Sequence, residues 1–514
     1  MRNNRGRRPE SGGDTNGPFE GSRVGSEAGI ASRPPGGTGV RAPVLALVLL
    51  CAAQFMVILD VTVVNVALPS IQASVGIAFA DLQWVVTAYT LAFGGLLLLG
   101  GRAADLLGRR RVFLTGLAVF TAASLAAGLT SSQQALLAAR ALQGVGAALL
   151  SPAALSLITV IFPEGHERRR ALAAWGAVGA SGAALGVLVG GALTEAFGWG
   201  AVFLINAPVG VTVAAAALRV LPATRLEVAG RIDATGALTV TASLVALIYA
   251  LVGADGAGWA SAQTLGLLGV AAAGFGVFVV AEARAREPLV PLTVFRQRPV
   301  VIALVLMMLG MGTLVSGFFF SSQYLQHVLG HSPVRTGLEF LPVAAAIVVT
   351  AHAAGHLIAR LGAKPVIAGG LALSAAGTFL LGRLPADGDY QTDVLPGFLL
   401  LSLGSGLIAV AVTITAMTGA EPQETGLRSG LTTTAHELGI AFVLSLLTAV
   451  AATRIGGGAL ETAGIPGGGG DLTAGLAVAF QVATMIALAA LLVTLVGLRR
   501  GDVPPGSTPS FIGH

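Results

Sequence analysis

Beyond residue 42 the chain is a succession of apolar stretches of 18 or more residues, broken by short segments that carry Arg, Gly or Pro. About 20 mostly apolar residues in a helix are needed to cross the hydrocarbon core of a bilayer. Cutting the pattern at the short segments predicts fourteen such helices: near 43–67, 84–101, 112–130, 134–161, 171–193, 201–218, 234–253, 263–282, 299–321, 337–359, 365–383, 394–416, 430–452 and 473–498. Residues 1–42 have no apolar run and are rich in Gly, Ser, Pro and Arg, so they are expected to form a disordered tail. The first apolar run is longer than a signal peptide's core and contains Asp60 and Asn65, which predicts a retained span.

The distribution of basic residues tests the count. With fourteen spans and both ends of the chain on one side, all but four of the 30 basic residues fall in the tails or in loops on that side. The four exceptions are Arg335, Arg383 and Arg454 in loops opposite and Arg140 within a span. A miscounted span would scramble this asymmetry, and cytoplasmic loops are the arginine-rich ones, so both termini are expected in the cytoplasm.

Composition narrows the function. Of 514 residues, 54% are hydrophobic and only 11% charged, against about 25% charged in a soluble domain. The net charge of +5 therefore belongs to membrane topology, and no nucleic-acid partner is expected. Cys51 is the single cysteine, so no intrachain disulfide or cysteine zinc site can form. Lys364 is the single lysine and is followed by Pro365, which excludes the Lys-Ser/Thr pair of a phosphate-binding loop. His352 and His356 share a helix face without a third ligand, and His436-Glu437 lacks the second histidine of a zinc-protease helix, so neither a metal nor another cofactor is expected.

An internal repeat is visible. GRAADLLGRR (Gly101 to Arg110) and GHLIARLGAK (Gly355 to Lys364) share glycine at the first and eighth positions and a basic residue at the tenth, 254 residues apart. The offset of eight predicted spans fits a duplicated six-helix unit with two helices inserted between the copies. Repeated halves around a central site are a transporter architecture.

With LDVTVVNVALPSI (Leu59 to Ile71) in the first span and ARALQGVGAA (Ala139 to Ala148) in the fourth, these motifs resemble the major facilitator superfamily, specifically its fourteen-span drug:proton antiporter branch. The resemblance runs from about Pro43 to Arg500. It departs from the pattern in the fifth span, where GVLVGG (Gly186 to Gly191) has Val187 in the position of the branch's proline, and in the second loop copy, where Ala359 stands in place of Asp105. It implies an all-α membrane protein of the major facilitator fold, with residues 43–218 and 299–500 as two six-helix bundles, 219–298 holding two inserted helices, and 1–42 and 501–514 as cytoplasmic tails. It further implies a monomer in the bacterial cytoplasmic membrane that exchanges protons for hydrophobic drug- or antibiotic-like molecules, cations among them. A proton-coupled importer and a non-transporting sensor are the rival readings.

Charged residues inside a span are costly and functional by default, which singles out Asp60 and Arg140 as a proton-coupling pair. Gly101, Asp105, Gly108 and Arg109 are expected to form a cytoplasmic gate. In it the two glycines permit a tight turn and Asp105 faces a helix N-terminus of the other half. Gly182, Gly186, Gly190 and Gly191 offer a surface for close helix packing or bending. Asn65, Gln143, His436 and Glu437 are the remaining cavity candidates, while Glu195 and Glu339 are placed where they reach water.

Overall fold

The computed structural model describes residues 43–503 apart from 164, 223–233, 259, 286–287, 289, 291, 421–423, 456–468 and 500. The tail expected over 1–42, most of that over 501–514, and much of the loop ahead of the inserted helices, with Arg225 and Arg231, lie outside the described residues. Every regular element among them is helical.

Among the described residues, fourteen long helices follow one another. They are α1 (Pro43–Val75), α2 (Phe79–Leu107), α3 (Arg109–Leu129), α4 (Gln133–Ile161), α5 (His166–Phe197), α6 (Ala201–Val220), α7 (Ala234–Ala257), α8 (Ala262–Arg284), α9 (Arg298–Val328), α10 (Pro333–Leu361), α11 (Ala363–Leu381), α12 (Tyr390–Met417), α13 (Thr425–Ala452) and α14 (Gly469–Gly497). Among the described residues, twelve are long and apolar enough to cross a membrane. The other two, α5 and α7, hold shorter apolar stretches, Leu185–Phe197 and Leu238–Ala250. The first turns of α5 read HERRR, a polar entrance ahead of its apolar part.

The two bundles use the same pairings. In the first, α1 packs on α5, α2 on α4 and α3 on α4; in the second, α9 packs on α13, α10 on α12 and α11 on α12. The sequence repeat explains part of this. Gly108 and Gly362, the eighth positions of the two copies, form one-residue turns with φ of 99° and 79°, a conformation only glycine adopts without strain. Two residues on, Arg110 donates to the Leu218 carbonyl in the last turn of α6, and Lys364 Nζ donates to the carbonyls of Leu495 and Leu498 at the end of α14, each at 2.7 Å. A cation on the unpaired carbonyls of a helix C-terminus satisfies them and complements the dipole. Lys364→Met is accordingly expected to lower stability by about 0.3–1 kcal/mol, measurable as a lowered thermal midpoint in detergent with transport retained.

The loop expected at 101–110 contracts to that single turn, because α2 remains helical through Leu107. Gly101 is therefore a helix residue, and a side chain there would meet only Pro152 at 3.8 Å, so the turn does not require it.

The inserted helix α7 packs on α8 and also on α2 and α13, covering the seam where the two bundles meet. Leu91, Ile248 and Ala441 form a small core there, with Trp84, Leu244 and Leu438 against it. One core fills the second bundle along its length and, at the end of the molecule away from the Gly108 turn, continues into the first through α1 and α2. Gln326 donates to the Val66 carbonyl at 2.9 Å, and Phe79 meets Phe319 edge-on with ring centres 6.4 Å apart. At the turn end, the first bundle has a separate core built from α1 to α6 alone.

Candidate functional site

Two charges in the apolar interior must find each other or remain uncompensated at a cost of several kcal/mol. Asp60 in α1 is 0% exposed and Arg140 in α4 1%, and Arg140 Nη1 meets Asp60 Oδ2 at 2.5 Å. Gln143, one turn beyond Arg140, accepts from the same Nη1 at 2.9 Å and donates through Nε2 to Asp60 Oδ1 at 3.0 Å. Asn206 in α6 gives Oδ1 a second donor at 2.9 Å. Ser124 in α3 accepts from Gln143 at 2.7 Å and from Asn206 at 3.4 Å. On α2, the Val85 carbonyl accepts a hydrogen bond from Arg140 Nε at 2.7 Å, and the guanidinium lies 4.5 Å from the Tyr89 ring centre and 5.6 Å from that of Phe203.

Five of the first bundle's six helices thus converge on one ion pair, and both carboxylate oxygens are occupied. Asp60, Arg140 and Gln143 were expected from sequence. Asn206 and Ser124 were not: a neutral polar residue in a span carries a smaller penalty than a charge, so it marks its position less sharply than Asp60 or Arg140 does. The Asn-Ala-Pro that opens the second part of α6 was the available signal.

The remaining expected residues disperse. Asn65 is buried and donates to the Val61 carbonyl of its own helix at 2.9 Å. Asp105 pairs with Arg109 at 3.4 Å across the Gly108 turn, and its side chain is 41% exposed. His436 and Glu437 contact each other at 3.1 Å in α13. On α5, Gly182, Gly186 and Gly190 face Ile58, Thr62 and Val63 of α1, a packing seam within the first bundle, and α5 runs unbroken through Val187.

A different face of α5 meets the second bundle. Gly191 lies against the Pro333 carbonyl, Gly337 against the Val187 carbonyl, and Glu195 Oε2 accepts from the Val334 N–H in the first turn of α10 at 3.1 Å. A carboxylate from one half thus occupies a helix N-terminus of the other, the role expected of Asp105, at the opposite end of the molecule. Glu339 also does more than reach water, holding His331 at 2.8 Å and Arg335 at 3.0 Å.

The family model described as Major Facilitator Superfamily matches residues 50–444. The chain is 41% identical over 470 residues to the cephamycin export protein CmcT of Amycolatopsis lactamdurans, covering 90% of this chain and 94% of that one. It is likewise 41% identical over 408 residues to the puromycin resistance protein pur8 of Streptomyces alboniger, covering 79% and 81%. Among solved structures, a nucleoside transporter, NupG, superposes with a TM-score of 0.62 at 10% identity over 89% of this chain and all of that one, a likeness of fold. The fold, its repeat and these relatives agree: the chain belongs to the Major Facilitator Superfamily of membrane transporters, in its drug-efflux branch.

Proposed function

We propose that this chain is a proton-coupled antiporter that exports hydrophobic antibiotic-like molecules across a bacterial cytoplasmic membrane. It acts as a monomer with fourteen spans, α5 and α7 crossing with the other twelve, and with both termini in the cytoplasm. The buried Asp60–Arg140 pair carries the reading, because charges inside a membrane bundle are costly to bury and mark function by default. The export and resistance named for relatives at 41% identity support the direction and the substrate class.

In this mechanism Asp60 binds a proton when exposed to the exterior and releases it to the cytoplasm. A neutral Asp60 no longer needs Arg140 as its counter-charge, so protonation loosens the contact between α1 and α4 and biases the bundle toward one of its two arrangements. Gly108, Asp105 and Arg109 act at the cytoplasmic end, where Asp105 exchanges its contact with Arg109 for one across the halves when that end closes. Asn65, Gln143 and His436 line the route.

The test uses the purified chain in vesicles with puromycin and a cephamycin as probes. Uptake into inside-out vesicles is expected to follow an imposed proton gradient and to ignore ATP. ATP-driven uptake without a gradient, or accumulation in the opposite direction, overturns the reading.

A further inference from the structure

We propose that Glu437 is a second proton-binding site, built at the junction of α2, α7 and α13 and separate from Asp60; this deepens the exchange reading above and rests on it. Two adjacent glycines create the junction. A side chain at Gly94 would lie 2.7 Å from Glu437 Cβ, so the stem of the glutamate abuts the bare α2 backbone. A side chain at Gly95 would meet Thr241 of α7 at 2.9 Å, and the Thr241 hydroxyl donates to the Gly95 carbonyl at 3.1 Å. The bundles therefore meet at Glu437, and α7 covers the meeting point with Leu244 and Ile248.

The two intramembrane carboxylates stand in opposite settings. Asp60 has both oxygens filled by three donors, so a proton can settle there only by displacing one of them. Glu437 is 6% exposed, its Oε1 contacts His436 Nδ1 at 3.1 Å, and its Oε2 is buried without a hydrogen-bond partner. A bare carboxylate oxygen in an apolar junction is an acceptor awaiting a proton, and binding one there breaks no existing bond. Pairs of carboxylates in contrasting environments divide acid–base tasks.

The groups facing this site are few. His436 is the titratable neighbour on α13. On α2 it is Tyr89, whose buried hydroxyl also has no partner and which lies within electrostatic reach of Asp60, Arg140 and Glu437 alike. From α7 the facing residues are Thr241, Leu244 and Ile248, none of which titrates. The other helices packed on α13 have no titratable residue over 299–323, 395–417 and 472–497. Tyr89 thus lies under the Arg140 guanidinium and within electrostatic reach of both carboxylates. The step is a simple protonation: the carboxylate of Glu437 takes a proton on Oε2 and returns it to water when the α2–α13 seam opens.

Infrared difference spectroscopy of the purified full chain in nanodiscs, between mildly acid and mildly alkaline buffer, tests this without a transported compound. Wild type is expected to show two titrating carboxylic-acid C=O components, one lost in Glu437→Gln and retained in Asp60→Asn, the other lost in Asp60→Asn and retained in Glu437→Gln. Glu437→Asp keeps an acid of different reach, so its band persists at a shifted frequency, which guards against a loss caused by misfolding. A spectrum that Glu437→Gln leaves unchanged, loss of every titrating component in Asp60→Asn, or no titrating band in wild type overturns the proposal. The vesicle result with puromycin bears on the exporter reading alone, so the two can fail separately.

Discussion

Arg140→Ala is expected to abolish uphill export and to destabilise the folded protein by about 3–5 kcal/mol, the cost of leaving one member of a buried ion pair unpaired. The alanine removes three polar contacts at once: the 2.5 Å bond to Asp60, the 2.9 Å bond to Gln143 and the 2.7 Å bond to the Val85 carbonyl. It also strips the face of Tyr89, 4.5 Å below the guanidinium. Arg140→Lys restores charge but not the planar fork that reaches Asp60, Gln143 and Val85 together, so partial recovery of both stability and export is expected. Asp60→Asn combined with Arg140→Gln separates the two effects. That double variant has no buried charge to neutralise, so its thermal midpoint should rise well above that of Arg140→Ala while export against a gradient stays absent. Thermal unfolding in detergent and gradient-driven uptake of puromycin in vesicles give the two readouts. Wild-type export by either single neutral variant, Asp60→Asn or Arg140→Gln, would falsify the coupling role of the pair.

The parts of this molecule that were legible in sequence are those with a large, local energetic signature. An apolar run of 18 or more residues has one interpretation, so the helices were readable, with errors at ends such as Val75, where α1 continues past Pro69. A charge inside such a run needs a partner, so Asp60 and Arg140 pointed to each other across 80 residues of sequence. Asn206, Ser124 and Tyr89 were not readable, because which neutral side chains complete the pair depends on how five helices rotate about their axes. The glycines of α5 show the same limit. Their spacing marks a face, and that face meets α1, while the contacts between halves are made by Val187, Gly191 and Glu195 on another side of the helix. Gly101 was misassigned because a glycine at each end of a basic motif suggests a broad loop, whereas Gly108 alone makes the turn.

That second face of α5 leads to the other large effect. Gly337→Ala is expected to shift the protein toward the arrangement open at the end away from the Gly108 turn, because the added Cβ would stand 2.5 Å from the Val187 carbonyl. The obstacle is backbone, which a rotamer change cannot relieve, so α5 and α10 must separate. Gly191→Ala meets the Pro333 carbonyl at 2.4 Å and should act in the same direction. Overpacking of this kind costs about 1–3 kcal/mol; borne only by the closed arrangement, it moves the populations by about 5- to 150-fold. Gly176→Ala is the control, since nothing lies within 4 Å of the position and alanine is the better helix former. Ser322, buried in α9 next to the Gln326 side chain that bridges to Val66, reports the opening when replaced by cysteine in a Cys51-free background. A membrane-impermeant maleimide should label Ser322→Cys faster in the Gly337→Ala and Gly191→Ala backgrounds and at the parental rate with Gly176→Ala. Equal labelling in all of them would mean that the α5–α10 contact does not hold that end closed.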